Sequence, residues 1–336
     1  MTQSRRSLLA LGAGVATLGA PRLLRAQSGA QSGGQPAAWP DRPLRLVVPF
    51  PAGSTPDILG RVLAPHYTAA LGQPCVIDNR AGAGGNIGTD MVAKATDGHT
   101  FGLTINGPLA TAPALYPNLP YDPAKDLAPI SWLARAGQVL VVNPTLGVKS
   151  FADFVARAKA EPGMLTFGSV GAGSGGHLAM EDIKARTGIT LEHVPYRGFP
   201  QAVLDLVAGR ISAIILTVAG ILPQLREGQA VALAVTSEKR LPQLPAVPTL
   251  IESGLQGATS YAWNALVAPA SMPAERIERL ARETKAALAS PQAKQTLDTS
   301  GFEIVGSGPA ELKAMVEAET ARWGGMIRQL GITADN

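Results

Sequence analysis

The sequence predicts an α/β protein built as two lobes with a hinge and a cleft between them, and three observations carry that expectation. From Leu44 to Val235, short β-rich runs alternate with segments whose apolar residues recur on one helical face. Some 310 residues remain once a cleavable leader is set aside, more than one hydrophobic core usually supports. The C-terminal third then changes to long amphipathic helices, 273–289 and 309–330, each with a proline near its first turn. Such helices cover a sheet rather than build one.

The leader comes first along the chain. Arg5 and Arg6 precede an apolar run over 8–20, and Ala26 offers a small residue for cleavage, the pattern of a twin-arginine export signal spanning 1–26. The apolar run is too short for a bilayer, which takes about 20 residues. Residues 27–38, QSGAQSGGQPAA, read as a flexible linker. Cleavage removes Arg5, Arg6, Arg22 and Arg25 and no acidic residue, so Lys plus Arg falls from 29 to 25, level with the 25 Asp plus Glu. A formally neutral mature chain carries no basic stripe, which argues against a nucleic-acid partner. The single cysteine, Cys75, excludes an intramolecular disulfide and a cysteine-based metal centre, and it does not follow the apolar run as a lipid anchor requires. No internal repeat stands out, no cofactor or metal is expected, and a monomer is the default expectation.

Strands are expected at 44–49, 75–77, 100–105, 139–142, 165–167, 191–194, 211–216 and 231–235, with helices between them. Ser150 opens one of those helices with the spacing of a capping box. This alternation predicts largely parallel sheets. The closing helices are expected to return to the first lobe, which then comprises 39–138 plus 262–336, with the second lobe at 139–261.

Three strand-to-helix loops are candidates for a ligand. In 50–57, FPAGSTPD, Thr55 reads as the N-cap, Pro56 as the first helical residue, and Asp57 as a favourable first-turn charge. Free N–H groups at such a start suit a carboxylate or phosphate, although plain capping explains the same residues. The glycines of 81–88, AGAGGNIG, lack the Lys-Ser/Thr ending of a phosphate loop and are explained by close backbone packing. In 169–177, SVGAGSGGH, Gly171, Gly173 and Gly176 satisfy G-x-G-x-x-G, so an exported NAD(P)-dependent oxidoreductase is the alternative reading. Against it, Glu192 falls inside the next predicted strand rather than at its end, where a ribose would need an acid. Catalysis has little support. No G-x-S-x-G elbow occurs, and His66, His99, His177 and His193 show no metal spacing.

Taken together, several segments resemble the Bug family, the substrate receptors of tripartite tricarboxylate transporters. They are LVVPFPAG (46–53) followed by Asp57, NRAGAGGNIG (79–88), PALYPNLPYDPAKDLAPI (113–130), LVVNP (140–144), GSVGAGSGGHLA (168–179), HVPYRG (193–198), ALAVTSEKRLPQLPAVPTLIESG (232–254) and LVAPASMP (266–273). The resemblance runs in order through essentially the whole mature chain. It implies a type II-like periplasmic binding fold that closes on a small carboxylate for delivery to a membrane permease, with no enzymatic step. It also implies contacts through backbone amides, hydroxyls and bridging waters. By position these are Ala52, Gly53, Ser54, Thr55, Asn106 and Gly107 from the first lobe and Ser169, Gly173, Ser174 and His177 from the second. Tyr196, Thr217 and Trp263 are expected to line the remainder, with core or hinge roles as the plain alternative for both aromatics. A receptor that senses its ligand without transport fits the resemblance equally. The chain departs from the family pattern at Ser54, Pro56, Ile105, Asn106, Pro108, Ser212 and Leu216, mostly by losing polar groups. Those losses point away from amino acids and towards a plain or aromatic carboxylate.

Overall fold

One long strand organises the fold. The structure, a computed structural model, describes residues 39–334, so the export signal and linker expected at 1–38 lie outside the described residues. The elements run β1 (Leu44–Val48), α1 (Thr55–Leu71), β2 (Cys75–Asn79), α2 (Asn86–Ala93), β3 (Thr100–Ile105), α3 (Ala112–Leu115), α4 (Pro123–Asp126) and β4 (Leu127–Val142). There follow α5 (Phe151–Ala160), β5 (Thr166–Ser169), α6 (Gly175–Thr187), β6 (Glu192–Pro195), α7 (Phe199–Val207), β7 (Ala213–Thr217), α8 (Leu222–Arg226) and β8 (Val231–Val235). The chain closes with β9 (Tyr261–Pro269), α9 (Ala274–Ala289), α10 (Pro291–Thr299), β10 (Glu303–Ile304) and α11 (Pro309–Leu330).

The strand order is β2-β1-β3-β9-β4-β7-β5-β6, with β8 and β10 also pairing β4. Residues 127–137 of β4 pair with β9, and residues 138–142 pair with β7 and β8. The change of partner falls at Gly137–Gln138. A Cβ on Gly137 would lie 2.7 Å from Ser237 Oγ, so glycine is what lets the chain from β8 pass this close.

The expectation of largely parallel sheets needs correction. β1, β2 and β3 are parallel, as are β5, β6 and β7, but β9 runs antiparallel to β3 and β4, and β4 runs antiparallel to β7 and β8. Of these two crossing strands the sequence reveals only 139–142, the end of β4. Pro129, Ala134, Ala136 and Gly137 are poor strand formers, and β4 shifts register against β9 at Pro129/Ser131 and again at Trp132/Ala134.

Each half of the sheet is covered on both faces, as parallel strands require. Leu59, Leu63 and Tyr67 of α1 and Leu280 and Leu288 of α9 pack on Leu44, Leu46, Phe101 and Leu266. α11 covers the opposite face through Leu312, against Val47, Leu109 and Trp263. In the second half, Met180 and Ile183 of α6 pack on Leu140, Phe167 and Ile215, and Val203 and Leu206 of α7 pack on Val139, Val141 and Ile214. Side chains alternate along a strand. Ala134 and Ala136 therefore face α1 while Leu140 and Val142 face α6, and Gln138 between them shares that face. The starts of α1 and α6 thus approach one common face of the sheet.

Candidate functional site

The two helix starts are built alike. Ala52-Gly53-Ser54-Thr55-Pro56-Asp57 and Ala172-Gly173-Ser174-Gly175-Gly176-His177 share the pattern A-G-S-x-x-[D/H]. Gly53 and Gly173 adopt left-handed φ of 81° and 75°, a region open mainly to glycine. Ser54 and Ser174 follow at φ/ψ of −71°/161° and −66°/155°, each in the N-cap position with no capping hydrogen bond from its side chain. Ser54, not Thr55, is therefore the N-cap of α1, and Pro56 is the second helical residue; hydroxyls at adjacent positions left spacing alone unable to choose. Each glycine N–H donates to the side chain four residues on, Gly53 to Asp57 Oδ2 at 2.9 Å and Gly173 to His177 Nδ1 at 3.1 Å.

Those bonds decide which amides are open. The N–H groups of Gly53 and Gly173 are used inside their own loops. A helix leaves its first N–H groups without an intrahelical acceptor. At α6 these belong to Gly175, Gly176 and His177; at α1 only Thr55 and Asp57 qualify, because Pro56 has no N–H. The hydroxyls of Ser54 and Ser174 are buried and make no hydrogen bond.

The locking side chains differ in charge. Asp57 is 1% exposed. Burial would raise its pKa, but hydrogen bonds from Arg61, the Gly53 amide and Asn79 outweigh it and hold the carboxyl below the ordinary range. His177 is equally buried, and desolvation, with smaller contributions from His193 and Lys184, lowers its pKa to about 3. The imidazole is neutral, which leaves Nδ1 free to accept from Gly173. The α1 start thus carries a fixed negative charge and the α6 start carries none.

An expected result follows for acid stability. His177 lies 3.9 Å from Glu181, which Lys184 pairs at 2.6 Å, and its ring centroid is 4.2 Å from that of His193. Because the folded pKa lies below the unfolded value, the native state binds fewer protons between them. This contribution is complete above about pH 6.5 and is lost as pH falls towards about 3. At pH 4.5 it amounts to about 2–3 kcal/mol. Urea titrations of His177→Gln are expected to show a flatter pH dependence from 6.5 to 4.5 than those of the parent; equal slopes would refute the assignment.

The other positions named from sequence divide into two groups. Asn106 and Gly107 open a π-helical turn, Gly107–Thr111, beside the 82–86 loop. Gly85, at φ 100°, sits where a Cβ would meet Phe50 at 2.9 Å and Pro108 at 3.1 Å, and so ties three first-lobe loops together. Tyr121 completes the tie by donating towards Asn86 Oδ1 at 2.9 Å and Pro108 O at 3.0 Å. Tyr121→Phe is expected to cost about 1 kcal/mol in thermal melts, the net worth of such a bond. Ser169 Oγ lies 2.7 Å from His193 Nε2 and donates to Gly171 O, shaping the second loop from within. Thr217 ends β7 opposite Gln138. Tyr196 donates to Asp205 Oδ2 at 2.9 Å, within the second lobe. Trp263 is 2% exposed in the core under α11, and its indole donates to Glu319 Oε2 at 3.2 Å, so the structure places it away from the two helix starts.

The facing loops meet. Thr111 Oγ1 lies 3.0 Å from Gly173 O, and Leu115 packs with Leu178, Trp323 and Ile327. Gly84, Asn86, Ile105, Gly107, Thr111 and Leu115 on one side and Val170, Ala172 and Ser174 on the other enclose a recess of about 20 Å³, room for a single water molecule. Nothing local in the sequence marks Thr111 and Leu115 as residues that touch the facing loop. Among the described residues, no group of three or more His, Cys, Asp or Glu is placed to hold a metal ion.

The mixed α/β fold, with the uncapped starts of α1 and α6 on one face of its sheet, is that of the periplasmic solute-binding proteins. The family model for the tripartite tricarboxylate transporter family receptor matches residues 59–332, and the chain belongs to that family. It is 38% identical to Protein BugT of Bordetella pertussis over 295 residues, 87% of this chain and 90% of that one. Among solved structures, R. palustris Rpa4515 with adipate superposes with a TM-score of 0.82 at 38% identity, covering 88% of this chain and 99% of the other. MatC from Rhodopseudomonas palustris with bound malate gives 0.79 at 29% identity, covering 86% and 100%.

Proposed function

We propose that this chain is a periplasmic receptor that captures a small carboxylate between its lobes and delivers it to a tripartite tricarboxylate-type permease, without chemistry of its own. The observation that carries the reading is the pair of A-G-S helix starts, each presenting open N–H groups and an unpartnered buried serine hydroxyl. Hydrogen bonds from such groups to a carboxylate are worth roughly 1.5–3 kcal/mol each. The α6 start holds the principal carboxylate: it has three open amides, no acidic residue in its first turn and a neutral lock in His177. Thr55, Ser54, Asn106 and Gly107 approach from the other lobe, with Ala52, Gly53, Gly173 and Ser169 setting the loop shapes.

The lobe limits we assign are 39–138 plus 262–336 and 139–261, because β4 changes partners at Gly137–Gln138 and β9 begins at Tyr261. Carboxylate ligands in the related Rpa4515 and MatC structures support the ligand class. Among the described residues no helix is long and apolar enough to cross a membrane.

A thermal-shift panel of mono-, di- and tricarboxylates, aromatic acids, amino acids and NAD(P) tests the reading. A carboxylate at a hundred times its dissociation constant is expected to add about 2.7 kcal/mol, a rise of several degrees. Stabilisation by NAD(P) alone would instead favour the oxidoreductase.

A further inference from the structure

The face between the two helix starts carries two buried amides that the carboxylate contacts leave unused. Gln138 and Asn264 are each 2% exposed, and neither side-chain carbonyl oxygen has a hydrogen-bond partner. Their positions follow from strand alternation. Leu266 and Ala268 of β9 belong to the α1 face, so Asn264 does too, and it lies in register with Ile105 and Ala134. Gln138 lies opposite Thr217 and beneath the first turn of α6. A Cβ on Gly175 would lie 3.2 Å from Gln138 Oε1 and 3.3 Å from Asn106 Nδ2, which puts this carbonyl directly beside the open α6 amides. Between the two amides the strands carry Ala134, Ala136 and Ala262.

A buried carbonyl without a donor is costly, and removing that cost on binding favours the ligand that supplies the donor. Resting on the carboxylate-receptor reading, we infer that Gln138, with Asn264, selects ligands bearing a hydroxyl next to a carboxylate: the α6 start takes the carboxylate and Gln138 Oε1 accepts from the hydroxyl. A hydroxyl is favoured over an ammonium. Asp57, the acid in the first turn of α1, is already ion-paired with Arg61 and hydrogen-bonded by Asn79 and the Gly53 amide, so its charge is balanced within its own helix. The acceptors of this floor change the expected ligand from a plain or aromatic acid to a hydroxy acid.

Calorimetric titration of the mature protein with succinate, glutarate and adipate, and with the 2-hydroxy and 2-amino counterpart of each, tests the inference. The best-bound chain length is expected to favour its 2-hydroxy form at least tenfold over both others. Gln138→Met is expected to lower that preference to under threefold while the plain acid keeps its affinity. Asn264→Leu, read the same way, covers the case in which the Gln138 variant fails to fold. Equal binding of hydroxy and plain acids by the parent, or a preference that survives in the variants, overturns the inference and leaves the carboxylate reading standing. Binding of none of the nine acids overturns both.

Discussion

Replacing Gly173 with asparagine is expected to weaken carboxylate binding ten- to a hundredfold while leaving each lobe folded. The backbone at Gly173 has φ 75°, a conformation that asparagine tolerates better than other side chains, so local strain is small. The Cβ is the difficulty. It would overlap Leu115 Cδ1 and lie 3.0 Å from Thr111 Oγ1, and both belong to the opposite lobe. Overpacking of this kind costs about 1–3 kcal/mol. It penalises only the state in which the loops meet, so it subtracts from the differential affinity that drives closure. Titration calorimetry reads the affinity and a thermal melt reads the fold. An affinity equal to that of the parent would show that the Gly173–Thr111 approach is not part of the binding state.

Gly176→Ala is expected to damage the protein itself. The added Cβ would overlap the Ile215 carbonyl oxygen, a backbone atom of β7 that cannot rotate away. Helix α6 must then lift from the sheet, loosening Met180 and Ile183 from Phe167 and Ile215. The expected loss is about 3 kcal/mol or more in urea unfolding, with binding lost in proportion. The contrast between neighbouring glycines is informative. Gly173 touches the opposite lobe and Gly176 touches its own, so one variant fails at capture and the other at folding. A parent-like urea midpoint for Gly176→Ala would contradict the close α6–β7 approach.

These two glycines also show where sequence reading stops. The motif G-x-G-x-x-G located the loop but not what its glycines approach, since spacing reports that backbone comes close to something and not to what. The strands of both parallel sets were legible because they alternate with helices and are rich in branched residues. The first part of β4, before residue 139, and the whole of β9 were not, because alanine, proline and glycine at their bends break the period. The first loop and the third were each recognised as a helix start. Their common form, A-G-S-x-x-[D/H], is hidden in the chain because the sixth position exchanges an acid for a histidine, and only the shared bond to the glycine amide shows that they do the same work. Trp263 could not be placed from sequence, since a large aromatic suits a pocket wall and a core equally, and its contacts under α11 decide for the core. Gln138 immediately precedes the apolar run 139–142, where a polar residue of a buried strand is the one local sign of a task.

The central claim is that open amides at the α6 start, assisted by those of α1, hold the ligand carboxylate. Backbone amide NMR on the deuterated mature protein, titrated with the carboxylate that most raises its melting temperature, tests this most directly. Downfield movement of the Gly175, Gly176 and His177 amide protons, saturating with the binding curve and accompanied by Thr55 and Asp57, is the predicted result. Saturable binding that leaves the α6 start unmoved would contradict the account.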